Sequence, residues 1–335
     1  MPTHLKLVSP WSTNSLPGTA SGLFPRHHQI GRADYHRYLV DYASELKLPV
    51  RTGVRVEDVS RNAEQLFCTR TSHGVFSSRL VVNATGCFAR PFIPGFPGAG
   101  DSEIPQRHVA GYRDANHVKT LLNGKSGPIL IVGKRLSAGQ TMLELVDAGF
   151  QVAISHRSPI EFGPGPLAMW FFLRVFPAIE ALKLRLSGSR ATDWDVKMSG
   201  GQTRRLIATR QVRTFPAIQH FEKAAVVFAN GARLEPAMVI YATGFRPALD
   251  HLHSLLPELT RDQSTPALRD MESIRVPGLF FAGLAGQRNF QSRYLRGIRQ
   301  DMPVLAERLC QHLRSLPAPA LPATTHEPAP AALVP

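Results

Sequence analysis

Residues 128–157 read PILIVGKRLSAGQTMLELVDAGFQVAISHR, and the order of residue types in this stretch decides the fold class. Ile129 to Val132 is a short, wholly apolar run, as expected of a parallel strand buried on both faces. Gly133 ends it. Ser137 and Gln140 have the S-x-x-Q spacing of a capping box, and Met142, Leu145 and Val146 continue a helical stripe that stops at Gly149. A second strand is expected over Phe150 to Ile154. Such a strand, turn, helix, strand unit aims the backbone N–H groups of a helix N-terminus at whatever lies above Gly133, which suits a dinucleotide pyrophosphate. The loop Gly133-Lys134-Arg135-Leu136-Ser137-Ala138 departs from G-x-G-x-x-G at Arg135, whose side chain either swings outward to meet phosphate or blocks the pocket. His156 and Arg157 stand about 20 residues beyond the loop, where NAD-specific domains carry an acid for the ribose 2′-hydroxyl. Cations there favour NADPH.

Two phrases bracket this unit. Leu80-Val81-Val82-Asn83-Ala84-Thr85-Gly86 and Met238-Val239-Ile240-Tyr241-Ala242-Thr243-Gly244 are both apolar runs ending in Ala-Thr-Gly, which predicts two buried strands with the same tight turn and two domains of related construction. The 335 residues are enough for two domains. Hydrophobic residues make up 43% and charged residues 19%, a composition that folds. The formal charge of +14 attracts polyanions, but the basic residues are scattered and show no interleaving with aromatics, so nucleic acid is not the expected partner. The most apolar stretch, Pro166 to Leu184, is broken by Arg174, Pro177, Glu180 and Lys183, too interrupted for a membrane span. Packing within the fold is favoured for it over contact with a membrane surface. No secretion signal opens the chain, and a cytoplasmic protein is expected. Cys68, Cys87 and Cys310 form no C-x-x-C pair, and the 13 histidines show no metal-ligand spacing, so no dithiol centre and no sequence-local metal site is expected. A C-terminal helix is expected over Asp301 to Leu313, capped by Asp301. The tail from Leu316 to Pro335, with six prolines and six alanines, is expected to be disordered.

Taken in order, these motifs resemble the flavin-containing monooxygenase-like family of FAD- and NAD(P)H-dependent flavoproteins. Thr85-Gly86 followed by Pro91, Pro94 and Pro97-Gly98 is similar to the family's A-T-G linker, and His108 to Arg113 to its H-x-x-x-Y-R phrase. Gly133 to Ala138 is similar to the G-x-G-x-S-A nucleotide loop, and Ala242 to Pro247 to the second A-T-G-F-R-P. Pro277 to Gly283, followed by Gly286 to Phe290, is similar to the C-terminal strand and turn. The resemblance implies an α/β protein of two dinucleotide-binding, Rossmann-like domains of three-layer ββα type, with an NADPH domain (111–244) inserted into an FAD domain (1–110 and 245–315) and a tail (316–335). It implies NADPH at Gly133, Arg135, Ser137, Ala138, His156 and Arg157. It further implies cofactor contacts from Thr85, Gly86, Thr243, Gly244, Arg246, Gly283, Arg288, Asn289 and Asp301, the last through the start of its helix. Asn14 lies in the segment that approaches the flavin in this family, although a loop Asn beside Ser is more often a turn former.

The family ordinarily opens with its own strand and G-x-G-x-x-G loop for the FAD pyrophosphate. Here Leu5 to Pro10 follows Met1 almost at once and resembles sequence from beyond that unit, so the FAD domain is expected to be incomplete and FAD binding is in doubt. A start site set too late, a second polypeptide, or a remnant that binds NAD(P)H without flavin chemistry would each account for this. The expected activity is an oxidoreductase that passes hydride from NADPH to FAD and then to O₂ or another acceptor, on a small-molecule substrate. No catalytic residue is identified, and homo-oligomerisation stays open.

Overall fold

The computed structural model describes residues 7, 9–18, 23–26, 28–163, 196–259 and 265–316, together with 175, 179 and 182. From the N-terminus the chain forms α1 (Trp11–Asn14), α2 (Arg32–Glu45), β1 (Val56–Arg61), β2 (Phe67–Thr71), β3 (Gly74–Ser78), β4 (Val81–Asn83) and β5 (Arg90–Pro91). Next come β6 (Gln106–His108), α3 (Ala115–Leu122), β7 (Ile129–Val132), α4 (Leu136–Asp147) and β8 (Val152–Ser155). These are followed by α5 (Gln202–Ala208), β9 (Arg213–Phe215), β10 (Ile218–Phe221), β11 (Val226–Phe228), β12 (Arg233–Leu234), β13 (Met238–Tyr241) and β14 (Phe245–Arg246). The last elements are β15 (Leu268–Arg269), β16 (Glu272–Ser273), β17 (Leu279–Phe281) and α6 (Leu295–Ser315). The chain divides into two compact units, one holding 91–163 and 196–245, the other 7–90 and 246–316 of the described residues. β5 and β14 carry the chain out of the second unit and back into it. The Pro166 to Leu184 stretch is mostly outside the described residues, as is the tail beyond 316. Among the described residues no helix is long and apolar enough to cross a membrane.

The 91–245 unit is built on a parallel sheet in the order β6-β13-β7-β8-β9. Its central strands are buried on both faces, and their side chains alternate between two cores. Ile129, Ile131, Met238 and Ile240 pack with Val118 and Leu122 of α3 and Met142 and Leu145 of α4. Leu130, Val132, Val239 and Tyr241 pack instead against Phe221, Val226 and Phe228, which belong to an antiparallel sheet β10-β11-β12 on the opposite face. Helices, parallel sheet and antiparallel sheet make three layers, and the period of two in each strand sorts the residues between them. α3 starts where Asp114 accepts a hydrogen bond from the His117 N–H at 2.8 Å and stops at Asn123, in the left-handed region.

The second unit repeats the plan on a smaller sheet, β15-β16-β17-β4, in which β4 and β17 run parallel. Leu279 and Phe281 face a core with Val59, Phe67, Leu249, Leu252 and Leu256, on the side of the antiparallel β1-β2-β3 sheet. Phe280 faces the other way, where Leu305 and Leu309 of α6 cover it. A separate aromatic cluster joins α1 to α2: Trp11 is fully buried between Phe24 and Tyr38, with ring centroids 5.2 and 4.8 Å away in edge-to-face geometry.

Two expectations are corrected here. α6 begins at Leu295 rather than Asp301, so Asp301 is a buried interior residue and caps nothing. Gly297 and Pro303 break the helical pattern in sequence, yet a glycine is the only residue that fits at 297, because a Cβ there would lie 1.9 Å from the Gln291 carbonyl oxygen. Pro303 sits inside the helix, on its exposed side. The other correction is at α4, which starts at Leu136 with Arg135 as its N-terminal flanking residue and no side-chain cap. Ser137 is inside the first turn and exposed, so the S-x-x-Q spacing is not a capping box.

Candidate functional site

The site in the 91–245 unit lies at the C-terminal ends of β7, β13 and β8. Gly133 takes φ +148°, and a Cβ on it would stand 2.4 Å from the Ala242 carbonyl oxygen and 3.0 Å from its carbon. Both neighbours are backbone, so only glycine is compatible with this approach of two strand ends. The approach is held by Ala242 N–H to Val132 O at 2.8 Å and Gly133 N–H to Ser155 O at 3.0 Å. α4 then rises from the loop with no capping side chain and no acidic residue in its first turn. Its first N–H groups therefore keep their partial positive charge for a ligand. Ala138 is fully buried in the core beneath this turn.

The loop side chains divide between structure and surface. Arg135 is exposed, which favours the outward of its two alternatives. Lys134 Nζ donates to Pro159 O at 3.2 Å. His156 is half-buried, its Nδ1 donating to Ser158 O at 3.1 Å, and Arg157 is exposed. The buried Ser155 hydroxyl donates to Pro216 O at 2.7 Å and so fixes the end of β8.

The sequence reading missed several residues of this site. Tyr112, buried at the end of the His108 to Arg113 phrase, donates to Glu144 of α4, whose other oxygen accepts from the Ala115 N–H at 3.2 Å. Burial and the adjoining Glu144 carboxylate hold the Tyr112 phenol far above its ordinary range. Lys197 and Met198 were missed as well. Arg135 pairs with Lys197 and Phe162 with Met198 in two isolated β-bridges, and Met198 is buried against the start of α4, where a Cβ on Gly139 would come within 2.7 Å of its Cγ. Tyr112 lies in the H-x-x-x-Y-R phrase but its role is set by Glu144, and no local pattern marks Lys197 and Met198, whose partners are distant in sequence. His108 links the strand ends from the side: its Nδ1 accepts from the Ala110 N–H at 3.1 Å and its Nε2 lies 2.9 Å from Gly244 O. Thr243 donates its hydroxyl to Phe92 O.

In the second unit, Thr85 is exposed and Gly86 half-buried beyond the end of β4. Gly86 and Gly283 both have positive φ, and a Cβ built on Gly283 would stand 3.5 Å from the Gly86 Cα. Cys87 Sγ donates to Gly283 O at 3.2 Å, and Ala282 N–H to Asn83 O at 2.9 Å. The loop after β17 is ordered by its own side chains. Ser292 Oγ accepts from the N–H groups of Arg288 and Asn289, both at 3.2 Å, and Asn289 Oδ1 accepts from Gln291 N–H at 2.8 Å. Arg288 reaches Asp301 Oδ1 at 3.3 Å. Burial holds the Asp301 carboxyl above its usual range, against the opposing pull of Ser292 and Arg288. Arg246 is half-buried. Asn14 closes α1 and is buried, its amide donating to Ser9 O at 2.8 Å, so it is no exposed turn former.

Among the described residues of this unit, the buried side chains of Asn14, Asn83, Gln291 and Asp301 carry polar atoms with no protein partner: Asn14 Oδ1, Asn83 Nδ2, both amide atoms of Gln291, and Asp301 Oδ2. Such atoms are costly unless something satisfies them. Gln291 and Asp301 flank the start of α6, and Asn83 ends β4. A polar cofactor at the C-terminal ends of β4 and β17 fits these donors and acceptors.

The chain matches the family model described as pyridine nucleotide-disulphide oxidoreductase over residues 2–166. A Geobacillus kaustophilus protein named uncharacterized oxidoreductase CzcO-like is 24% identical over 315 residues, covering 92% of this chain and 86% of that protein. Among solved structures, a flavin-containing monooxygenase from Stenotrophomonas maltophilia aligns with a TM-score of 0.73 at 21% identity, covering 92% of this chain and 86% of the other. The bacillithiol disulfide reductase of Bacillus cereus aligns at 0.66 and 18%, with the same coverage. The fold is that of these two-domain proteins, so the expected resemblance to flavin-containing monooxygenase-like proteins is borne out in fold, and the sequence matches are to oxidoreductases.

Proposed function

We propose that this chain is an NADPH-dependent flavoprotein oxidoreductase similar to the flavin-containing monooxygenases. The observation that carries the reading is Gly133, a glycine forced by the Ala242 backbone at the foot of an uncapped helix. In this reading the N–H groups of the first turn of α4 bind the NADPH pyrophosphate, with Ser137 beside them and Ala138 packing the turn onto the sheet. His156 and Arg157, at the end of β8, take the 2′-phosphate. Thr243 and Gly244 line the strand end next to Gly133.

In the second unit, Thr85, Gly86 and Gly283 give close backbone approach for the flavin, while Gln291, Asp301 and Asn83 offer it their buried polar atoms. Arg288 and Asn289 hold the loop that presents them, and Arg246 adds a cation after the second Ala-Thr-Gly turn. The bound cofactors supply a hydride donor and acceptor, and the residues above supply binding and alignment. The acceptor beyond the flavin is a small molecule. The test is an absorbance spectrum of the purified 335-residue chain after incubation with FAD, followed by anaerobic NADPH. Flavin bands that stay with the protein and then bleach support the reading. A colourless protein that still binds NADPH replaces it with nucleotide binding alone.

A further inference from the structure

The nucleotide loop has an anion beside it already. Glu161 Oε2 lies 2.8 Å from Lys197 Nζ, and Lys134 and Arg135 of the loop also act on the same carboxylate. The hydrogen bond from Lys197, reinforced by those two cations, holds the Glu161 carboxyl below its usual range. Lys197 is fixed in place by backbone: it pairs with Arg135, and its neighbour Met198 is fully buried against Gly139 at the start of α4. The segment bearing Glu161 is tied to the same strap by Gly163 N–H to Met198 O at 2.8 Å and Met198 N–H to Glu161 O at 3.1 Å. An ammonium is thus carried to the loop by a segment outside the strand, loop and helix unit, and a carboxylate neutralises it.

We propose that Lys197 is a further ligand of the dinucleotide pyrophosphate and that Glu161 is an internal competitor occupying Lys197 until the nucleotide arrives. This rests on the NADPH reading above. The pyrophosphate carries two charges to the carboxylate's one and accepts more hydrogen bonds, so it displaces Glu161 from an exposed pair that is itself weak. The pair costs some affinity and in return keeps the cationic loop from holding other anions.

The experiment is a fluorescence titration of the full chain with NADPH and with NADH, for wild type, Lys197→Ala, Glu161→Gln and the double variant. Both side chains are exposed, about half of each reaching solvent, and the bridges are backbone, so circular dichroism should be unchanged. Lys197→Ala is expected to weaken both nucleotides equally, about three- to tenfold, and to flatten the salt dependence of binding. Glu161→Gln is expected to tighten both about two- to fivefold, and this gain should vanish in the Lys197→Ala background. Unchanged affinity in Lys197→Ala, weaker binding in Glu161→Gln, or a Lys197→Ala loss confined to NADPH would each overturn the proposal. A wild-type chain that binds neither nucleotide overturns the NADPH reading itself, whatever the variants do.

Discussion

His108 Nε2 donates to the Gly244 carbonyl at 2.9 Å while its Nδ1 accepts from the Ala110 N–H. Together the two bonds admit only the neutral Nε2–H tautomer, since a proton on Nδ1 would face another N–H. Burial lowers the His108 pKa from its ordinary 6.5. The unfolded chain therefore takes up the proton at a higher pH than the folded one. The stabilisation is complete above about pH 6.5 and is lost as pH falls through that value toward the lower folded pKa. Denaturant unfolding at pH 7.5 and 5.5 should show a larger loss on acidification for wild type than for His108→Asn. Equal losses would remove His108 from this role.

Gly133→Ala places a methyl group against the Ala242 backbone at a φ that disfavours any side chain. The clash is with main chain, so no rotamer relieves it. Destabilisation of about 2–4 kcal/mol is expected, with loss of NADPH binding at temperatures where the variant is still folded. Unfolding curves and nucleotide titration check it, and a variant of native stability would contradict the account of the strand ends.

Asp301 gives a test of opposite sign. Its folded pKa is raised above 3.8, so the folded state holds the proton longer, and the charged carboxylate disfavours folding increasingly as pH rises through the window above 3.8. Asp301→Asn, which cannot ionise, should be at least as stable as wild type at pH 7 without cofactor and should show less stability lost as pH rises from below 3.8 to 7. Its FAD affinity should fall, because the amide offers one acceptor oxygen where the carboxylate offers two. A variant clearly less stable at pH 7 would show that the Arg288 pairing outweighs burial.

Tyr112→Phe removes the donor to Glu144 and leaves the carboxylate with only the Ala115 N–H among the partners described above. A loss of about 1–2 kcal/mol is expected. Phe fills the same space, so the change reports the hydrogen bond and not packing.

The strands of the site were legible because their signal is local. Ile129 to Val132 is apolar at every position since both faces are covered, and the two Ala-Thr-Gly turns end strands β4 and β13 where expected. The helix starts were not legible, for a different reason in each case. At α4 the spacing of Ser137 and Gln140 mimics a cap, but a helix that presents its N–H groups outward has no use for one. At α6 the helix starts earlier than Asp301 and runs through Gly297, and only the contact with the Gln291 carbonyl shows why glycine belongs inside it. Lys197 could not be found at all from sequence, because its position depends on Met198 settling against Gly139, about sixty residues away along the chain and adjacent in space.

Pro303 gives α6 a division of labour. Having no N–H, it leaves the Arg299 carbonyl without its helical donor and softens the helix at that turn. The helix nevertheless runs unbroken from Leu295 to Ser315. The later turns, anchored by Leu305 and Leu309 beneath β17, belong to the foundation of the unit. The earlier turns, with Gly297 packed against the Gln291 carbonyl and Asp301 buried, belong to the site, so one helix joins the foundation of the unit to the polar atoms it presents.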